Sequence, residues 1–268
     1  MEREELRHAH PRDIRRLIRE GKWREPTAGL AEGYVQANLA VVPEELALQF
    51  FTFCQRNPWP CPILEVTEPG MTDLTYLAQG VDLRTDLGKY RVFEGGECIA
   101  EVENIADYWE DNLVAFLLGC SLSFDWVLDK AGIRAKWLEP GSTGCAYVSS
   151  IPCQAAGIFH GPMVVSMRPI RRDQVVRAVQ ITSRYPAVHG PPVHIGDPAQ
   201  IGILDLEKPD YGAPSPASRV DADEMPVFWG CGVTPQEVAL HAKPRLMITH
   251  LAGYMFVSDR KIEELAVL

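Results

Sequence analysis

Two segments of this 268-residue chain share one design: an apolar run ends in Gly-Cys and leads into a helix. The first spans Leu113–Ile133 and the second spans Val227–Ala242. A strand, a tight glycine turn and a helix make up the basic unit of α/β proteins, and the start of such a helix presents free N–H groups to an anion. Met163–Tyr185 predicts a third strand-to-helix unit, and Leu246–His250 predicts a further strand.

The alternation of strands and helices predicts an α/β fold, a mixed-sheet αβα sandwich with a smaller α+β two-layer portion. No tandem repeat is evident. A chain of this length suits one large domain or two closely packed ones. We expect an α/β main domain from 1–135 and 225–268, with a smaller α+β domain at 136–224 that carries part of the functional site.

Composition excludes several classes of function. The net charge of −10 argues against nucleic acid as a partner, because phosphate backbones attract basic surfaces. No run reaches the ~18 apolar residues of a membrane span. The N-terminus mixes arginines with acids, which fits neither a secretory signal nor a transit peptide. Seven scattered cysteines indicate reduced thiols in a cytoplasmic protein. Nothing in the sequence decides for or against a homo-oligomer.

Polar chemistry is densest in Phe159–Ile203, where histidines, serines and arginines stand among glycines and prolines. Such density on a constrained backbone favours a small-molecule site. Ser166 and Arg168 alternate along an apparent strand and should share one face. A carboxylate-binding role for Arg168 is favoured over a buried ion pair, because a buried arginine without a partner is costly.

Arg84 stands between two aspartates, Asp82 and Asp86. Its guanidinium is either a fork for a substrate carboxylate or part of a local ion pair in a surface turn.

Two histidines bracket a Gly-Pro-Pro-Val loop: His189 precedes it, His194 follows it, and Asp197 comes three residues later. An acid–base pair or a hydrogen-bond network that fixes the loop is favoured. A metal site is the alternative, but the spacing is not diagnostic of one. Asp197-Pro198 also suits the start of a helix or turn. Without a Cys-x-x-Cys pair, we expect no structural zinc.

Cys120 and Cys231 each follow the glycine of a strand-to-helix turn. The helix N-terminus would acidify such a thiol and make it a nucleophile, whereas a small buried apolar side chain is the alternative. Ser121 lies in a Gly-x-Ser-x-Ser run that lacks the second glycine of the hydrolase elbow. His250 either faces the same cleft or lies in the core.

Seven long runs, in order and over most of the chain, match one known family. They are Thr27–Leu39, Arg56–Val66, Leu83–Val92, Phe116–Ile133, Gly161–Pro169, His189–Ile203 and Pro226–Gln236. Through these runs the chain resembles the putative hydro-lyases related to D-glutamate cyclase. The resemblance implies elimination of water from a small dicarboxylic acid, with D-glutamate closing to 5-oxo-D-proline.

Such a reaction needs a general base, a general acid, stabilisation of charge at the carboxyl group and a clamp for the α-carboxylate. Histidines, an aspartate, arginines and helix N-termini meet these needs without a metal or an organic cofactor. We assign carboxylate binding to Arg84 and Arg168. We assign proton transfer to His189 or His194, oriented by Asp197. The remaining site residues are Ser166, Cys120, Ser121, Cys231, Gly232 and His250.

Two alternatives stay open: a non-catalytic ligand-binding protein of oxoproline or amino-acid metabolism, and a metal-dependent hydrolase that uses His189, His194 and Asp197. Two segments depart from the family pattern. Tyr254 stands where the family usually has histidine, and 141–153 differs before Cys153. A catalytic role at either place would predict altered specificity or lost activity.

Overall fold

A computed structural model describes residues 2–134, 136–139, 142 and 144–267. The helices are α1 Arg3–Arg7, α2 Pro11–Arg19, α3 Glu44–Arg56, α4 Leu122–Lys130, α5 Val175–Thr182 and α6 Thr234–Ala242. The strands are β1 Tyr34–Pro43, β2 Ile63–Val66, β3 Tyr90–Glu94, β4 Glu97–Val102, β5 Leu113–Gly119, β6 Cys145–Pro152, β7 Pro162–Arg171, β8 His194–Ile195, β9 Tyr211–Gly212, β10 Glu224–Gly230, β11 Met247–His250 and β12 Phe256–Lys261. In these described ranges, no helix is both long enough and apolar enough to cross a membrane.

The strands form two sheets. The first has the order β2-β5-β1-β11-β3-β4, with β12 also paired to β1, and the second has the order β8-β10-β7-β6-β9. Every pairing between the described strands is antiparallel. Helices and strands alternate as predicted, but the prediction of a mixed sheet was wrong.

The path of the chain explains the difference. The chain leaves β5 in the first sheet, passes through α4 and enters β6 in the second sheet. It later leaves β10 in the second sheet, passes through α6 and enters β11 in the first. Each helix therefore connects two sheets and does not return the chain to a parallel neighbour in the same sheet. The division into 1–135 with 225–268 and 136–224 stays a prediction; β10 pairs with β7 in the second sheet.

β1 with β5, and β7 with β10, form two matching units. Asn38 of β1 lies opposite Leu118, the residue before the first turn glycine. Ser166 of β7 lies opposite Trp229, the residue before the second turn glycine. In each unit, one residue of the neighbouring strand bonds both to the turn cysteine and to a hydroxyl group of the helix. In the first unit, Gln36 O accepts from Cys120 N (3.0 Å) and Gln36 N donates to Ser123 Oγ (2.9 Å). In the second unit, Val164 O accepts from Cys231 N (2.9 Å) and Val164 N donates to Thr234 Oγ1 (3.0 Å).

This agreement in register and hydrogen bonding makes the two units structural duplicates of one another. The sequence displays mainly their Gly-Cys turns, because most other matching positions carry different residues. The two units, each a strand pair with its turn and helix, are called the first unit and the second unit below.

The turn glycines lie where the two units touch. A Cβ atom on Gly119 would overlap the carbonyl oxygen of Ala187, which lies between α5 and β8, in the loop that connects the two strands of the second unit. A Cβ atom on Gly230 would lie 2.7 Å from the backbone carbonyl of Trp59, in the corresponding loop of the first unit. Backbone atoms cannot swing aside as flexible side chains can, so both positions require glycine.

Gly119→Ala and Gly230→Ala are each expected to lower the free energy of unfolding by about 3 kcal/mol or more, because the added methyl group overpacks a rigid contact. Gly132→Ala is the control: its φ is +78°, but nothing lies within 4 Å of the added atom. Backbone strain alone should cost it about 1–2 kcal/mol. Urea unfolding measures all three, and equal losses at Gly119 and Gly132 would contradict the proposed contact.

The second sheet separates two apolar regions. Residues directly opposite each other on antiparallel strands point to one face. On one face, Val227 and Trp229 pack with side chains of α4 and α5. On the other face, Met167 and Phe228 join a larger cluster that includes side chains of β1, β5 and α3. Arg168 lies opposite Val227 and therefore projects beneath α4 and α5.

Candidate functional site

Arg168 is the centre of a buried polar cluster at the junction of the two units. Its side chain is 3% exposed. Nε and Nη2 donate to the two carboxylate oxygens of Asp125 at 2.6 and 2.9 Å. Nη1 donates to Ser166 Oγ at 3.0 Å, and Nη2 donates to Ser121 Oγ at 2.9 Å. The predicted shared face of Ser166 and Arg168 is confirmed, and Ser121 joins them.

The ion pair with Asp125 is the reading that the sequence disfavoured. Aromatic rings enclose the guanidinium: its Cζ lies 4.5 Å from the ring centre of Trp137, 4.7 Å from Phe124 and 5.3 Å from Trp229. Ring faces attract the cation, yet they replace water, so the charge still requires a carboxylate. Asp125 supplies it across the junction, from the first unit to the second.

Asp125 was missed by sequence reasoning, although the sequence holds a signal. It stands between Phe124 and Trp126 in a helix whose other early residues are mostly apolar, and it is fully buried. An acid in an apolar helix requires a buried partner. A search for that partner would have reached the arginine of the strand Pro162–Arg171.

Cys120 and Cys231 lie close enough to Arg168 for its positive charge to act on both thiols. Burial raises the pKa of Cys120 to about 12 and that of Cys231 to about 11. The N–H groups of Leu122 and Val233, at the helix starts, act in the opposite direction. The acidifying effect predicted for a helix N-terminus is therefore present, but burial outweighs it.

Gly232 brings the second turn against the first unit. A Cβ atom at this position would overlap the side-chain amide of Asn38. That amide is buried and donates from Nδ2 to the carbonyl oxygen of Gly119 at 2.8 Å. Both turns thus meet at Asn38, a residue that the sequence reading did not select.

His189 lies near the cluster and links the two connecting loops. Its side chain is buried, and Nδ1 donates to the carbonyl oxygen of Trp59 at 2.6 Å. Burial lowers the pKa of His189 to about 4, the Trp59 carbonyl raises it, and the charge of Arg168 lowers it. Its φ of 84° is left-handed, which is unusual for a residue with a side chain. The ring is therefore neutral and held in place at neutral pH.

His194 lies on the other side of the sheet. It pairs opposite Phe228, whereas Arg168 pairs opposite Val227, the preceding residue of the same strand. Successive residues of a strand point to opposite faces. The structure therefore does not bring His194 together with Arg168.

The carboxylate of Asp197 does not orient either histidine. Its Oδ1 accepts the N–H of Ala199 at 3.0 Å and begins a short 3₁₀ helix, which is the structural alternative drawn from the sequence. His194 Nε2 donates to the backbone carbonyl of Asp197 at 2.8 Å. In the described part of the chain, no group of three His, Cys, Asp or Glu side chains could hold a metal ion, so the alternative site at His189, His194 and Asp197 is not formed.

Arg84 forms the local ion pair that was its alternative reading. Nε and Nη2 donate to the carboxylate of Asp82, each at 2.9 Å. The side chain is 36% exposed. Its side-chain hydrogen bonds thus remain within one loop, and none of them reaches the Arg168 cluster.

His250 is fully buried at the end of β11. Its Nδ1 accepts the N–H of Leu39 at 3.3 Å, and its Nε2 has no hydrogen-bond partner among the described residues. Burial lowers the pKa of His250 to about 4. No hydrogen bond in the described ranges connects it to Arg168, so it resembles the core histidine of the second reading.

The two segments that depart from the family pattern have different positions. Tyr254 lies beside Gly88, and the Nζ atom of Lys89 lies 5.4 Å from its ring centre. In the other segment, positions 141 and 143 lie outside the described residues, and 145–152 form β6. Their effects on activity stay predictions.

The fold and the central cluster define a duplicated α/β protein whose two units build one polar centre. A family model described as D-glutamate cyclase matches residues 114–259. The chain is 52% identical over 262 residues to a "Putative hydro-lyase" of Stutzerimonas stutzeri, with 98% of each chain covered. It is 53% identical to "Putative hydro-lyase GK2103" of Geobacillus kaustophilus, with 96% of this chain and 97% of that protein covered. It is 51% identical to "Putative hydro-lyase YcsI" of Bacillus subtilis, with 96% of this chain and 99% of that protein covered.

The chain belongs to this family of putative hydro-lyases, the carbon–oxygen lyases that carry a D-glutamate cyclase domain. The resemblance drawn from the seven sequence runs is confirmed. A weaker similarity links the chain to the crystal structure of a nitrogen repressor-like protein, MJ0159, from Methanococcus jannaschii. Its TM-score is 0.38 and its identity 9%, with 94% of this chain and 99% of that chain covered.

Proposed function

We propose that this hydro-lyase acts on a small amino or hydroxy dicarboxylic acid, and first of all on D-glutamate, which closes to 5-oxo-D-proline and water. One observation carries the proposal. The D-glutamate cyclase match, residues 114–259, contains the whole Arg168 cluster: Ser121, Asp125, Ser166 and Arg168 itself. It also contains both Gly-Cys turns.

The proposed reaction sets clear demands on the site. The amine nitrogen attacks the γ-carboxyl carbon, a C–N bond forms and a C–O bond breaks. The nitrogen enters as ammonium with three protons and ends as a lactam N–H with one. The two protons it loses leave with the carboxylate oxygen as water. The site must therefore move protons from nitrogen to oxygen and stabilise the charge on the remaining oxygen.

The starts of α4 and α6 suit the second demand. The positive end of a helix dipole favours a developing negative charge, although the N–H groups of Leu122 and Val233 already bond to the thiols of Cys120 and Cys231. Because Asp125 already takes the carboxylate-binding edge of Arg168, we assign this arginine a positioning role. It holds the buried hydroxyl groups of Ser121 and Ser166, and we propose that these contact the acid. The proton-transfer roles of His189 and His194 stay predictions, and only His189 lies near the cluster.

We also place the protein in the cytoplasm. All seven cysteines are free thiols, which fits the reducing compartment proposed from their scattered positions.

Incubation of the purified protein with D-glutamate is expected to yield 5-oxoproline, measured by chromatography. L-Glutamate and D-aspartate serve as comparison acids. Ser121→Ala should lower kcat/KM by about 100-fold, the usual loss for one donor to a reacting carboxyl group. Ser183→Ala, at an exposed position of the same residue type, should leave it unchanged. Thermal stabilisation by D-glutamate without any 5-oxoproline would support the non-catalytic alternative; the absence of both would overturn the proposal.

A further inference from the structure

A cleft of about 570 Å³ opens beside the first sheet, where the start of α2 and the end of β12 meet the loop 75–80. This volume lies within the range of about 300–1,000 Å³ that small-molecule sites occupy. None of the described residues that line it belongs to the Arg168 cluster. The cleft is therefore a candidate site for a second ligand, separate from the proposed acid.

Hydrogen bonds hold the loop 75–80 in place without a ligand. Three of its successive N–H groups, at positions 75–77, donate to the carboxylate of Glu65 at 2.6, 2.9 and 2.8 Å. Arg260 Nε donates to the carbonyl oxygen of Tyr76 at 2.7 Å. This wall of the cleft is therefore formed in advance, and little ordering is needed when a ligand binds.

The side chains that line the cleft leave positive charge without a partner. Arg12 is exposed, and within the described ranges its guanidinium has neither a hydrogen bond nor an ion pair. The acid of the cleft, Asp259, is already neutralised by Arg15, which donates to its two oxygens at 2.9 and 3.1 Å. Arg260 has a longer contact, 3.3 Å from Nη1 to the carboxylate of Glu264. On a chain with a net charge of −10, a cationic cleft favours a small anion.

An aromatic ring stands beside these arginines. Tyr76 is 43% exposed, and Arg260 Cζ lies 4.2 Å from its ring centre, so the guanidinium covers one part of the ring. The exposed remainder can stack on an aromatic group of a ligand. His10 accepts the N–H of Arg12 on Nδ1 at 3.2 Å, so the neutral imidazole carries its proton on Nε2 and can donate from there. The cleft thus offers both donors for an anion and a surface for a ring.

We propose that this cleft binds a nucleoside phosphate, whose phosphate group is held by Arg12 and Arg260 and whose base stacks on Tyr76. The fork of N–H donors on a guanidinium matches the oxygens of a phosphate group. A free phosphate or a free base uses only one of the two features, whereas a nucleotide uses both. The ligand binds outside the Arg168 cluster, so this inference does not rest on the proposed function.

Isothermal titration calorimetry of the full-length protein with AMP, GMP, CMP and UMP tests the proposal. At least one of the four is expected to bind about 10-fold more tightly than inorganic phosphate and than its own nucleoside, because base stacking and charged hydrogen bonds each contribute about that much. Binding of none of the four would overturn the proposal. So would a Kd for inorganic phosphate, or for the nucleoside, equal to that of the nucleotide.

Two variants locate the binding in the cleft. Arg12→Gln should raise the Kd of the nucleotide by about 10-fold or more, since it removes a charged donor to the phosphate. Tyr76→Leu should raise it by about 10-fold, the usual loss for one stacked base. Arg16→Gln is the matched control, because Arg16 lies on the same helix, pairs with Asp13 and does not line the cleft. Equal Kd values for Arg12→Gln and Arg16→Gln would contradict the proposed site.

A third variant separates this inference from the proposed function. Ser121→Ala alters the Arg168 cluster and should bind the nucleotide with the wild-type Kd, whether or not the protein forms 5-oxoproline from D-glutamate. Nucleotide binding lost in Ser121→Ala and kept in Arg12→Gln would place the nucleotide in the Arg168 cluster and overturn the inference.

Discussion

Replacing Asp125 with alanine is expected to lower the free energy of unfolding by about 3–5 kcal/mol, the usual cost of removing one partner from a buried ion pair. Arg168 is 3% exposed and would keep its charge, held only by the hydroxyl groups of Ser121 and Ser166. Three aromatic rings leave little room for water to replace the carboxylate. Urea unfolding followed by circular dichroism measures the loss.

Asp129→Ala is the matched control, because Asp129 lies on the same helix and is exposed. It should change stability by no more than about 0.5 kcal/mol. Combining Asp125→Leu with Arg168→Met removes both charges and should recover most of the loss, since a buried pair can be replaced by apolar side chains. An Asp125→Ala protein as stable as Asp129→Ala would show that the pair is not the buried centre described above.

Local patterns predicted the parts of the site that lie within one element. Alternation along β7 placed Ser166 and Arg168 on one face, and they are hydrogen-bonded. The glycine turns placed Cys120 and Cys231 at helix starts, and both lie there. These predictions succeeded because side-chain direction in a strand repeats every second residue, and because strand, glycine and helix form one short unit.

Contacts between distant elements were beyond such patterns. The partner of Arg168 comes from α4, and no local rule connects a strand with a helix of the other unit. The helices α4 and α6 each connect one sheet with the other, which explains why a mixed sheet was wrongly predicted. The duplication stayed hidden because Asn38 matches Ser166 in register, although the two residues share little chemistry.

Proximity in sequence was also a poor guide to function. His194 and Asp197 are three residues apart, yet the carboxylate caps a turn and the imidazole donates to the backbone carbonyl of Asp197, not to its carboxylate. The register of β8 against β10 places His194 away from Arg168. Arg84 likewise bonds to the nearest acid, Asp82. The polar groups of a short loop form hydrogen bonds with one another first. A dense run of polar residues therefore marks a site less reliably than a single charged residue in an apolar helix or strand.

Acid should unfold the protein mainly between pH 6.5 and 4, because burial lowers the pKa of His189 and His250 from 6.5 to about 4. Below pH 6.5 these two histidines bind protons in the unfolded chain but not in the native protein. The stability that they contribute above pH 6.5 is therefore lost as the pH falls towards 4. Each histidine should contribute about 3 kcal/mol to that loss, at 1.36 kcal/mol per pKa unit.

His250→Leu should remove about half of the pH dependence, since Nε2 of this residue has no partner to lose in the described ranges. His8→Gln, at a side chain 72% exposed, is the control and should follow the wild-type curve. Urea midpoints measured in steps from pH 7.5 to about 4 give the curves, and parallel curves for His250→Leu and wild-type protein would contradict the assignment.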